Sequence, residues 1–278
     1  MSLFFASLNS GSNGNCYYVG NQQDAILVDA GISCRETVKR MAKLGLSMER
    51  VRAVFISHEH SDHINGLEVL SKKYSLPVFI TPRTLKASRL QLLQSQVHNF
   101  SAEETIRFGE LQVSAFKKFH DASDPYSFTV STANTTVGIF TDLGRVCDAL
   151  LENFRKCDAA FLESNYDEDM LFNGNYPLHL KKRISDGFGH LSNSQALSVF
   201  LEHRSHHLQY LLLSHLSKNN NKPELALELF NKYAGSTQIA VASRFVESPV
   251  YEVCGKGSSQ PLPKPAAKPL SVSQLSMF

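Results

Sequence analysis

The sequence predicts an α/β protein in which two sheets pack together with helices on the outside. Two observations carry this. Short apolar strands come in two successive blocks, each interleaved with segments of helical periodicity. The chain has 278 residues, 42% of them apolar, which suits one large α/β domain or two small ones with a sizeable core. No repeat of 20–50 residues is visible, so a solenoid or propeller is not expected.

The elements follow in order. SLFFASL, CYYVG and AILVDAG read as strands. Gly11 and Gly14, with Asn9, Asn13 and Asn15, mark a tight hairpin between the first two. CRETVKRMAKLGL has a helical pattern, and the strand RAVFIS comes next. A helix is expected over 63–73, a strand at PVFIT and a helix over 82–93. The second block opens with the strands ETIRF, LQVSAFKKF, YSFTVST and TVGIFTD. A helix over 145–155, the strand DAAFLES and helices over 178–187 and 193–204 follow. HLQYLLLS reads as a buried strand, KPELALELFNKY as a helix and QIAVAS as a last short strand.

After Cys254 the composition shifts to GKGSSQPLPKPAAKPLSVSQ. Such a segment buries too little apolar surface to offset its ordering entropy. The expected organisation is a catalytic domain over 1–254 and a flexible, disordered tail over 255–278.

A net charge of only +2 gives no global basic field, so any nucleic-acid surface must be local. The five cysteines are an odd number and contain no CxxC pair, which argues for reduced thiols. The start has no basic segment ahead of an apolar one. No run reaches the roughly 20 apolar residues needed to span a membrane. A cytoplasmic protein without membrane contact is expected.

Residues 56 to 63 read ISHEHSDH, placing His58, His60, Asp62 and His63 directly behind an apolar strand. Imidazole and carboxylate are ligands of choice for zinc, manganese and related divalent ions. Alternate residues of an extended segment point the same way, so His58 and His60 can grip one ion. Asp62 and His63, past the bend, can grip a second. Further candidates stand at other strand ends: His120 after VSAFKKF, Asp142 after VGIFT and His215 after YLLLS. Each alone would pass for an ordinary residue; together they bring ligands to one edge of the sheets. His98, His179, His203, His206 and His207 have no such context.

The HxHxDH pattern at His58–His63 resembles that of the metallo-β-lactamase superfamily, over roughly residues 1 to 250. The resemblance implies a four-layer αβ/βα sandwich with a dinuclear site, holding two divalent ions (Zn or Mn), at one edge. His58, His60 and His120 would hold the first ion, Asp62, His63 and His215 the second, and Asp142 would bridge them. Asp29, ending AILVDAG, would brace the metal loop without binding metal. A bridging carboxylate suits two hard, closely spaced ions and phosphodiester cleavage, whereas lactam-hydrolysing relatives often carry Cys there. His190 in FGHLSNSQAL resembles a histidine of the superfamily's nucleases that protonates the leaving oxygen or contacts the scissile phosphate. With Asp62 it makes up the expected catalytic pair.

The opening LNSGSNGNCYYVG and the stretch from LESNYDEDM to GHLSN resemble the YycJ (WalJ) group, regarded as DNA exonucleases working from a 5′ end. That group often has histidine where this chain has Tyr166. There is no room between Asp142 and His190 for the inserted domain of ribonuclease J-type enzymes. Ser192 and Asn193 stand at a helix start, where they cap the helix or receive a phosphate. Lys181, Lys182 and Arg183, with Lys117 and Lys118, form either a track for a phosphate backbone or a solvated face.

The expected function is a dinuclear-metal phosphodiesterase, a 5′→3′ DNA exonuclease of repair or replication acting on single- or double-stranded DNA. The alternatives are a small-molecule metallo-hydrolase of lactonase or thioesterase type, an RNA-processing nuclease of the same fold, or a binding protein with a vestigial site.

The chain ends in Gln274, Leu275, Ser276, Met277 and Phe278. This resembles the QL(S/D)LF peptide with which bacterial polymerases and repair proteins dock on the sliding clamp, with Met277 in place of the second Leu. Gln274 suits a small polar subsite, and Leu275, Met277 and Phe278 offer apolar anchors. The preceding segment would act as a tether. A peptide spanning Leu270 to Phe278 is expected to bind the cognate clamp in a titration, and its Gln274→Ala, Phe278→Ala version is not. Equal, negligible binding by both removes the clamp from the list of partners.

Overall fold

The computed structural model describes residues 2–102 and 104–255. The tail, with Gln274, Leu275, Met277 and Phe278, lies outside the described residues.

Two seven-stranded sheets make up the centre. The first holds β1 (Leu3–Asn9), β2 (Cys16–Gly20), β3 (Ala25–Val28), β4 (Val51–Phe55), β5 (Val78–Phe79) and β6 (Val97–His98). The second holds β7 (Thr105–Phe108), β8 (Leu111–Lys117), β9 (Tyr126–Ser131), β10 (Thr136–Phe140), β11 (Ala159–Glu163), β12 (Tyr210–Ser214) and β13 (Gln238–Val241). The last strand, β14 (Tyr251–Val253), returns to pair with β1 in the first sheet. Each sheet begins with antiparallel neighbours and ends with parallel ones. As a result β1, β3, β4, β8, β10, β11, β12 and β13 deliver their C-terminal ends to one edge.

Helices cover the outer faces. On the first sheet lie α1 (Cys34–Lys43), α2 (Ser61–Ile64), α3 (Leu67–Tyr74) and α4 (Pro82–Ser88). In the second half come α5 (Asp148–Phe154), α6 (Glu168–Asn173), α7 (Leu178–Ser185), α8 (Asn193–His203) and α9 (Pro223–Asn231). Three apolar clusters separate the layers. Phe5, Phe55, Phe128 and Phe161 fill the space between the sheets. Met41, Leu67 and Leu70 lie outside the first sheet, and Phe154, Phe200 and Phe230 outside the second. The four-layer αβ/βα sandwich is therefore present. With both faces covered, the central strands β2, β3, β11 and β12 are buried at every position, which explains their continuous apolar runs.

The structure departs from the sequence reading in several places. The single helix expected over 63–73 is two, broken at Asn65 and Gly66. There the backbone N–H of Gly66 donates to Ala30 O at 2.8 Å. A Cβ at Gly66 would stand 1.9 Å from Ile32 O, so the close approach needs glycine. The helix expected over 82–93 stops at Ser88, with Arg89 left-handed at φ 59°. β6, β14 and α6 were not expected. The cysteines are all free.

Gly31 is the other tight crossing, between the loops after β1, β3 and β4. Its N–H donates to Asn15 O at 2.8 Å, and Asn15 N–H donates to Asp62 O at 2.7 Å. A Cβ at Gly31 would fall 1.7 Å from that Asp62 oxygen. Gly31→Ala is expected to destabilise the fold by about 1–3 kcal/mol in urea unfolding, the usual cost of overpacking. Stability equal to wild type would show that these loops yield freely.

Candidate metal centre

The edge that collects the strand ends also collects His58, His60, Asp62, His63, His120, Asp142 and His215. Asp29 follows β3, the His58–His63 loop follows β4, and His120 follows β8. Asp142 follows β10, and His215 follows β12. Asp29, Asp142 and His215 are left-handed, at φ 61°, 54° and 56°. Non-glycine residues rarely adopt that conformation, and its strain concentrates at functional sites.

The ring nitrogens converge. His58 Nε2 and His120 Nε2 lie 3.1 and 3.3 Å from His60 Nδ1. His63 Nε2 lies 3.5 Å from Asp62 Oδ2, and His215 Nε2 lies 3.4 Å from the same oxygen. Asp142 stands between the two groups, with Oδ2 3.2 Å from His63 Nε2 and Oδ1 3.8 Å from His120 Nε2.

Hydrogen bonds behind the rings orient them. His63 Nδ1 donates to Asp29 Oδ2 at 2.7 Å. Ser57 donates to both Asp29 oxygens, from N and Oγ, at 2.8 Å each. Its Oγ also lies 2.9 Å from His58 Nδ1. His120 Nδ1 donates to the Gly189 carbonyl at 2.9 Å. Each bond fixes a tautomer and leaves Nε2 facing the centre. Asp29 therefore ties the start of this loop to His63.

Glu163, at the end of β11, was quoted in the sequence but not singled out. It is fully buried. Its Oε1 accepts from His190 Nδ1 at 2.7 Å and lies 3.2 Å from His215 Nδ1. Its Oε2 accepts from Leu143 N and Leu191 N at 2.6 and 3.1 Å. The available signal was position: β11 lies between β10 and β12, whose ends carry Asp142 and His215. Asn15 and Asn165 were also missed. Asn15 Nδ2 donates to Asp62 Oδ2 at 3.1 Å, and Asn165 Nδ2 to His215 O at 2.6 Å.

Other expected residues are placed less centrally. Ser192 is the cap of α8: its Oγ accepts from Gln195 N at 3.1 Å, and Gln195 returns the bond to Ser192 N. Asn193 is buried, bonded to Ser164 at 2.6 Å and to Asn221 at 3.1 Å. Both side chains are engaged inside the fold, and Ser192 takes the capping alternative. Lys118 is also corrected: it is buried and its Nζ donates to Thr141 O at 2.7 Å, and Lys117 pairs with Asp124 at 3.3 Å. On α7, Lys181 Nζ donates to Phe172 O at 2.8 Å, and Lys182 is exposed. Arg183 reaches the site, pairing with Asp121 at 2.7 Å. It lines a cavity of about 210 Å³ with His190, Asp121 and Tyr176. The phenol of Tyr166 is pushed up to about 12 by burial and by Glu168 and Glu163.

Electrostatics favour a cation here. Asp29, Asp142 and Glu163 are buried and Asp62 is largely so, with Lys118 as the nearby buried cation. Asp142 Oδ2 is buried and accepts no hydrogen bond. An orphaned carboxylate oxygen among inward-facing imidazole nitrogens is the donor set a divalent ion requires. Sets of such ligand atoms lie within 4.8 Å of one another: His58, His60 and His120; Asp62, His63 and His215; and His58, His63 and Asp142. The residues present fit divalent metal.

Residues 24–215 match the β-lactamase superfamily domain. The chain belongs to the metallo-β-lactamase-fold hydrolase superfamily. Within it, the chain belongs with the YycJ and WalJ proteins. It is 36% identical to "Exodeoxyribonuclease YycJ" of Bacillus anthracis, over 81% of this chain and 87% of that protein. It is 33% identical to "Exodeoxyribonuclease WalJ" of Streptococcus pneumoniae, over 80% of this chain and 84% of that one. The crystal structure of the metallo-β-lactamase fold protein YhfI from Bacillus subtilis shares the fold. Its TM-score is 0.69 at 18% identity, covering 90% of this chain and 99% of YhfI.

Two of the candidate ligands, His63 and His215, are in surroundings that favour their protonated form. Burial works against charge on His63, but Asp142, Asp29 and Asp62 outweigh it and hold the imidazole well above its usual range. Burial also opposes charge on His215, yet Asp142 and bonds to Asp62 and Glu163 push it up to about 10. Both shifts favour the charged ring, whereas ligation would need it neutral. Calorimetric titration with Zn²⁺ or Mn²⁺ is expected to show release of about one to two protons, with affinity falling as pH is lowered. A binding heat independent of buffer ionisation would contradict this assignment.

Proposed function

We propose that the chain is a dinuclear-metal exodeoxyribonuclease that degrades DNA in the 5′→3′ direction during repair or replication in the cytoplasm. The observation that carries the reading is His190. It sits beside the candidate ligands, with Nδ1 tied to Glu163 Oε1 and 3.9 Å from Asp142 Oδ1. The names of the YycJ and WalJ relatives support the choice of DNA.

His58, His60 and His120 would hold one divalent ion and Asp62, His63 and His215 the other, with Asp142 between them. When bound, the ions neutralise phosphoryl charge and lower the pKa of the attacking water. The chain's own residues do the rest. Glu163 fixes the His190 ring through Nδ1, so Nε2 faces the cavity and carries the proton to the leaving oxygen. Arg183, at the mouth, meets the phosphate backbone with a planar fork suited to phosphate oxygens. Asp29 and Ser57 hold the metal loop in register.

The test is hydrolysis of end-labelled single- and double-stranded DNA and RNA with Mn²⁺ or Zn²⁺, beside a lactone and a thioester. DNA shortened from its 5′ end is expected; cleavage of only the lactone or thioester would overturn the reading. His60→Ala and Asp62→Ala should abolish hydrolysis and lower bound metal. His190→Ala should keep the metal and lose about 10²–10⁴-fold in rate, the range for a general acid. Loss of metal on His190→Ala would place that ring among the ligands instead.

A further inference from the structure

A second cavity opens beside the metal centre, on the other side of His215. Its volume is about 380 Å³, within the range of about 300–1,000 Å³ typical of small-molecule sites. Leu216, Pro223, Val241 and Phe245 give it apolar walls, while Lys218 and Arg244 stand at its edge. Among the described residues no carboxylate lines it.

Arg244 follows β13, which runs parallel to β12 and ends at the same edge as the ligand-bearing strands. Its backbone is held by Asn13, whose Nδ2 donates to Arg244 O at 2.8 Å. Its Nη1 is buried and has no hydrogen-bond partner. A guanidinium stays charged, so burying one of its donors without an acceptor is costly. An anion with two adjacent oxygens would satisfy it, and Lys218 adds a second positive charge.

The cavity is joined to the reaction site. Ser10 lines it, and Ser10 Oγ accepts from the backbone N of the candidate ligand His215 at 2.8 Å. Ser217 lines both this cavity and the one holding His190. A chain of nucleotides passing His190 therefore meets the apolar walls next.

We propose that this cavity binds the nucleotide adjoining the scissile phosphodiester, its base against Leu216 and Phe245 and its phosphate on Arg244 and Lys218. This rests on the nuclease reading above and names a substrate subsite for it. Phe245 is 69% exposed, as an aromatic face awaiting a base would be.

The experiment is calorimetric titration of the metal-loaded full chain with dTMP, thymidine and inorganic phosphate. Wild type is expected to bind dTMP at least about 10-fold more tightly than either fragment, because only dTMP engages both the walls and the cations. Arg244→Gln should weaken dTMP about 10-fold or more and leave thymidine unaffected. Lys218→Gln, at an exposed position that folding does not depend on, should weaken dTMP about 2–5-fold. Phe245→Ala should weaken dTMP and thymidine alike. Should Arg244→Gln fail to fold, Lys218→Gln and Phe245→Ala decide the matter. Affinity for dTMP within twofold of wild type in every folded variant overturns the subsite. So does wild-type binding of inorganic phosphate as tight as dTMP, which would mean capture at the metals alone. Absence of DNA hydrolysis by wild type would remove the nuclease reading and leave the titration to judge the cavity.

Discussion

The structure depends on buried negative charge gathered at one edge of two sheets. Asp29, Asp142 and Glu163 are wholly buried there, and Asp62 is close to it. Removing so many carboxylates from water is costly unless each is paired. Lys118, held by the Thr141 carbonyl, supplies one fixed positive charge. The same carboxylates raise the pKa of His63 and His215, which favours positive charge on these rings as well. If the two rings ligate a divalent ion as proposed, they would do so neutral, and protons and metal would then exchange the same compensating role.

Holding this charge requires a backbone that stability alone would not select. Asp29, Asp142 and His215 are left-handed without being glycine, each costing on the order of 1–3 kcal/mol. Gly31 and Gly66 let the loops after β3 and β4 cross almost in contact. The three apolar clusters supply the opposing stability, anchored by aromatic contacts such as Phe55 on Phe79 at 4.6 Å. The sandwich is the rigid frame and the edge is its strained part.

Legibility in the sequence followed the range of the interactions. His58 to His63 were readable because four potential ligands lie within six residues behind an apolar run. His120, Asp142 and His215 were readable from strand ends. Glu163 was not, because DAAFLES looks like any buried strand, and only the sheet order places its end beside those of β10 and β12. β14 escaped for a similar reason: three residues carry no periodicity, and their pairing with β1 spans nearly the whole chain. The helix over 63–73 was misread because its break depends on Ile32 and Ala30, distant in sequence. For Ser192 and Asn193 the sequence left helix capping and phosphate binding open, and the structure has a capping box at Ser192 and Gln195.

The edge geometry separates two duties. His120, Asp142 and His215 stand just past strand ends, while His60, Asp62 and His63 lie on the turn and short helix α2 that follow β4, so sheets and one loop together set the cluster's arrangement. The rim is built from other material: Arg183 on α7, Arg244 after β13 and Lys218 in the loop ahead of α9. Rim and cluster meet at Asp121, which pairs with Arg183 at 2.7 Å and lies 3.4 Å from His120 Nε2. On the nuclease proposal, a phosphate drawn to Arg183 would compete with this carboxylate, which would link substrate arrival to the charge balance of the cluster. On that proposal the candidate ligands would set the chemistry and the rim the choice of substrate, a division by which one fold can serve different substrates.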